Sequence, residues 1–139
     1  MNKKNGKKNE KQKSKLSTML AQKPKVMELL YMAERKVSVK ELEEALTGVE
    51  LEEVHIWPEI GIMEITLKDK EVVDVETMDG FMNDEEDLKF MEEHNIVSVY
   101  AITVNETAFE GVRKCVETWA SAFGGFLCTD SDDFLPIYQ

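Results

Sequence analysis

Residues 96–129 read IVSVYAITVNETAFEGVRKCVETWASAFGGFLCT. The first nine, Ile96 to Val104, are rich in β-branched and aromatic types, which suit a pleated, buried surface. Ile96, Tyr100, Ile102 and Val104 share one face; Val97, Val99, Ala101 and Thr103 share the other. Both faces are largely apolar, so the spacing predicts an interior strand covered on both sides. Asn105 and Thr107 compete to cap the helix that follows, and Thr107 with Glu110 fits a capping box. Phe109, Val112, Val116, Trp119, Ala120 and Phe123 recur at steps of three and four, one apolar stripe on a helix. Gly124-Gly125 stops that helix, because glycine accepts a left-handed conformation without a Cβ clash. Phe126 to Thr129 is strand-like again. Strand, helix and strand imply two parallel strands, adjacent or with one strand between them, and a right-handed crossover.

Working toward the N-terminus, Leu51 to Glu76 has period two. Val54 and Ile56 alternate with Glu53, His55 and Trp57; Met63, Ile65 and Leu67 with Ile62, Glu64, Thr66 and Lys68; Val73 and Val75 with Val72, Asp74 and Glu76. Pro58-Glu59 and Asp69-Lys70 supply the turns. The pattern is an antiparallel meander with one core face and one wetter, acidic face. Before it, Val26, Leu29, Leu30 and Ala33 make a helical stripe after Pro24. Ser38 with Glu41 is a capping box ahead of Val39, Leu42, Ala45 and Leu46. These two stretches predict a helical hairpin over residues 23–48, ahead of an α+β domain over 49–139. Between the meander and residue 96, Asn83 with Glu86 opens a short helix through about His94, with Leu88 and Met91 turned inward. Phe134 to Tyr138 is an extended apolar tail that covers part of the sheet. The expected fold is α+β: a two-layer sandwich with a mixed five-stranded sheet, an antiparallel meander plus a βαβ unit, and an N-terminal helical hairpin. Residues 23–139 form a single globular unit.

The formal net charge of −11 conceals a division. Residues 1–25 hold nine of the 17 basic groups and one of the 28 acidic ones, giving +8; residues 26–139 carry −19. Residues 1–22 are lysine-rich and nearly free of large apolar side chains, the composition of a disordered basic tail. A body at −19 repels nucleic acid and attracts cationic partners, so nucleic acid is reached only through the tail, if at all. No run of 18 apolar residues spans a membrane, and the basic N-terminus lacks the apolar segment of a secretory signal. Cys115 and Cys128 read as free buried thiols, which places the chain in a reducing cytoplasm.

His55, His94, Cys115 and Cys128 are the nitrogen and sulfur ligands available for zinc, but none of them pair at the short spacings zinc sites use. Asp130, Asp132 and Asp133 begin like a calcium loop, yet Phe134 and Leu135 stand where an oxygen ligand and a glycine are required. No phosphate loop, dinucleotide fingerprint or nucleophile elbow is present. The expectation is therefore no metal and no cofactor. Glu64 and Asp74 lie mid-strand on neighbouring strands, a pair to check for burial.

The sequence supports a small acidic, non-enzymatic binding protein, monomeric or a small homo-oligomer. An inhibitor or immunity-type protein of bacterial or phage kind, docking a nuclease or other nucleic-acid-binding protein, fits its size and charge. The binding residues expected are Trp57, Glu53 and His55 on the first meander strand, Asp84, Glu85 and Glu86 at a helix N-terminus, and Asp130, Asp132 and Asp133 after the last strand. The alternative is a soluble domain whose basic tail binds nucleic acid or an anionic surface.

Overall fold

The computed structural model describes residues 25–138; the basic segment 1–22 lies outside the described residues. The strands are β1 (Val26–Ala33), β2 (Leu51–Trp57), β3 (Ile62–Leu67), β4 (Val72–Thr77), β5 (Ser98–Asn105), β6 (Phe126–Thr129) and β7 (Ile137–Tyr138). The α-helices are α1 (Val39–Glu44), α2 (Glu85–Glu93) and α3 (Phe109–Phe123). The strands form one seven-stranded sheet in the order β2-β3-β4-β5-β1-β6-β7, and every neighbouring pair is antiparallel.

The sheet corrects the expected five-stranded mixed sheet with a helical hairpin. Residues 26–33 form a central strand, not a helix. Leu29, Leu30, Tyr31, Met32 and Ala33 are all at most 1 % exposed. A strand covered on both faces is apolar without interruption, and such a run satisfies helical spacing as readily as strand spacing. Leu29, Tyr31 and Ala33 join the main core with α1 and α3, whereas Leu30 and Met32 face the opposite way into a smaller cluster. Because β1 pairs with both β5 and β6, those two strands run in the same direction on either side of it, and no adjacent strands are parallel. The meander β2-β3-β4 has the core face its alternation indicates, with Met63, Ile65, Leu67, Val73 and Val75 buried.

The layering also differs from two layers. Over the main face, α1 is capped by Ser38, whose hydroxyl accepts from the Glu41 amide while the Glu41 carboxylate accepts from the Ser38 amide. The Trp119 indole on α3 donates to the Leu42 carbonyl at 2.9 Å, tying the two helices together over Tyr31. On the opposite face, α2 lays Phe90 and Met91 against Leu30, Met32, Val99, Cys128 and Phe134. It is Phe90, not Leu88, that turns inward with Met91; Leu88 is half exposed. No side chain caps α3: a 3-10 turn, Glu106–Ala108, precedes it, and the Thr107 hydroxyl donates to Glu71. Phe134 is buried in the smaller cluster, and Ile137–Tyr138 add the last strand.

Candidate interaction surface

The smaller cluster covers only part of its face of the sheet, and the other part is open. Register identifies what the open part presents. His55 pairs with Glu64, Glu64 with Asp74, Asp74 with Thr103 and Thr103 with Glu28. Continuing the β1–β6 register beyond Leu29↔Thr129 brings Asp130, whose amide donates to the Glu28 carbonyl at 3.0 Å. One row therefore crosses six neighbouring chain segments and holds four carboxylates, with His55 at one end and Asp130 at the other. At about 4.8 Å between strands, it is roughly 24 Å long. None of its members is buried.

Flanking rows add charge and apolar surface. On one side, Trp57 pairs with Ile62 and Ile62 with Glu76. On the other, Glu53 pairs with Thr66, Thr66 with Val72, and Val26 with Asn105. Trp57, Val72 and Val26 are 45 %, 41 % and 61 % exposed, so the open half-sheet alternates acids with uncovered hydrophobes. His55 Nε2 lies 2.8 Å from the Glu53 carboxylate.

The other two expected acidic groups meet at the far end of the row. Asp84, rather than the expected Asn83, occupies the N-cap position of α2 without a side-chain cap hydrogen bond, Glu85 and Glu86 stand in its first turn, and Asp130, Asp132 and Asp133 occupy the loop after β6. Burial holds the Asp87 carboxyl above the ordinary carboxylate range, and Asp84, Glu86 and Asp132 push it further. Asp130 is raised by burial first, then by Glu28 and Asp87. Asp87 thus lies within electrostatic reach of the α2 terminus and the loop, and Asp130 within reach of Glu28 on the sheet and of Asp87. Asp133 is occupied within its loop, accepting from the Leu135 amide at 3.1 Å and the Ser131 hydroxyl at 3.2 Å. Glu28, Glu76 and Asp87 were not among the expected residues. Glu28 is visible only once residues 26–33 are read as a strand, where it falls two positions from Leu30 on the same face.

Cys115 lies in the main core and Cys128 in the smaller cluster, both free. His94 ends α2, its ring tilted against that of Phe90 with 4.3 Å between centroids. Among the described residues no group of three or more His, Cys, Asp or Glu could hold a metal ion, and no helix is long and apolar enough to cross a membrane. A cleft between α3 and β6–β7 is lined mainly by Val116, Ala120, Phe126, Leu127 and Tyr138, with Arg113 and Glu117. The chain matches no protein-family model, no curated protein and no solved structure.

Proposed function

We propose that this chain is a small non-enzymatic binding protein that docks a basic protein partner on its open half-sheet. The row from His55 through Glu64, Asp74 and Glu28 to Asp130 carries this reading. Carboxylates repeated at strand spacing form a field complementary to cations arrayed along a partner's groove. A nuclease or other nucleic-acid-binding protein presents such cations, spaced for phosphates, so an inhibitor or immunity-type role fits the surface. Trp57 and Val72 supply desolvated contact beside the charges, the arrangement that anchors interfaces.

The test reverses charge on the row and elsewhere. Glu64→Lys with Asp74→Lys abolishes salt-sensitive binding to a cationic nuclease, whereas Glu117→Lys on α3 leaves it within about twofold, as expected for a charge remote from the contact. Equal losses from both changes refute a defined docking face. Binding of nucleic acid by the full chain, lost when the lysines of residues 1–24 are replaced by glutamine, assigns the function to the basic segment instead.

A further inference from the structure

The open half-sheet has a candidate occupant in the same chain. Residues 1–24 contain eight lysines and one glutamate, and their large apolar residues beyond Met1 are Leu16, Met19 and Leu20. That composition mirrors the open face, which offers Glu53, Glu64, Asp74, Glu76 and Glu28 among Trp57, Val72 and Val26. The point of attachment is also on that face. The chain enters β1 at Val26, which projects to the open side and is 61 % exposed, two residues from Glu28 in the acidic row. The Lys25 carbonyl is fixed there by the Glu106 amide at 2.8 Å. Twenty-four residues reach at most roughly 80 Å, several times the roughly 24 Å length of the row. Tethering raises the local concentration of such a segment to the millimolar range, so weak pairwise contacts suffice to hold it.

We propose that the lysine-rich segment, residues 3–23, docks on the chain's own open half-sheet and that a basic partner binds by displacing it. That a partner must displace it rests on the binding function proposed above; the docking itself does not. The segment acts as an internal substitute for the partner's cations. It screens the Glu64–Asp74 pair when no partner is present and sets a threshold that only a higher-affinity cationic surface passes.

The full-length chain carrying Ser14→Cys, labelled with a nitroxide, tests this directly, because Cys115 and Cys128 are buried and leave the new thiol as the site of labelling. At about 0.01 M salt, where the screening length is about 30 Å, the amide resonances of Glu64, Asp74 and Thr103 broaden selectively; at about 1 M, where it is about 3 Å, they recover. No broadening, or broadening spread evenly to the exposed face of α3 at Lys114 and Glu117, overturns the proposal. Mixing a spin-labelled chain with a separate isotope-labelled chain leaves the spectrum sharp. Broadening in that mixture assigns the segment to a second copy and also overturns it. For displacement, an oligolysine peptide shifts the same amides at least tenfold more tightly once the eight lysines of residues 1–24 are glutamine, equivalent to a face about 90 % occupied by the segment. Equal affinity for both chains overturns displacement. Failure of the peptide to bind the glutamine chain, with selective broadening retained in the lysine chain, refutes the binding function and leaves the docking standing.

Discussion

Glu64 on β3 and Asp74 on β4 are direct cross-strand partners on the open face of the sheet. Like charges directly opposite one another in an antiparallel pair are destabilising, typically by about 0.2–1 kcal/mol. Their register therefore works against the fold rather than for it.

Removing that repulsion therefore stabilises the chain. Asp74→Asn raises the unfolding free energy by about 0.2–1 kcal/mol at low ionic strength, and the gain shrinks as salt is added. Urea denaturation at two salt concentrations measures it. A loss of stability would show that the pair is held by contacts other than its register.

Acidification has a defined sign. Burial and acidic neighbours raise Asp87 and Asp130 in the folded chain, so between the ordinary carboxylate value and their folded values the folded state holds more protons than the unfolded one. Stability is therefore lower at neutral pH and climbs as pH falls through that window. Glu41 behaves oppositely. Its carboxylate accepts the Ser38 amide first of all, which lowers it, so its contribution is lost as pH falls through a value below the ordinary range. The expected profile rises on acidification from neutral pH and then turns down. Asp130→Asn flattens the rise; urea melts across a pH series would reveal a profile that instead falls from the start.

Gly125 joins α3 to β6 with φ +91°, and a Cβ there would collide with the Met32 carbonyl oxygen on β1. The clash meets backbone rather than a movable side chain. Gly125→Ala destabilises the fold by about 3 kcal/mol or more, through strain and loss of close strand approach. A midpoint in urea indistinguishable from the parent would contradict this close approach.

Burial pushes both thiols up to about 12, Cys115 by burial alone and Cys128 with a further contribution from Asp130. Neither is a thiolate near neutral pH, and neither is accessible. A disulfide-exchange reagent titrates no thiol in the native chain and both in denaturant. One fast-reacting native thiol would overturn the assignment of both to the core.

Trp57 separates packing from recognition. It stands 45 % exposed on the open face beside Ile62. Trp57→Ala changes stability by about 0.5 kcal/mol or less, yet weakens binding of a cationic protein by more than about 1 kcal/mol if the ring anchors the interface. Calorimetric titration beside urea melts resolves the two effects.

The sequence alone determined the meander, a strand expected over 96–104 that the structure sets at Ser98–Asn105, helix α3 with its stripe, the Ser38–Glu41 cap and the separation of lysines from acids. Each rests on local periodicity or on a count, and neither requires knowledge of distant neighbours. Tertiary structure decided what residues 26–33 become. Their uninterrupted apolar run fits helix and strand alike, and only pairing with both β5 and β6 selects a strand. That choice inserts β1 between β5 and β6 as a sixth strand, the pairing of Ile137–Tyr138 with β6 adds the seventh, and Glu28 comes into line with Asp74 and Asp130. The acidic row is consequently a property of register, which joins residues up to about a hundred positions apart, and no spacing within the linear chain encodes it.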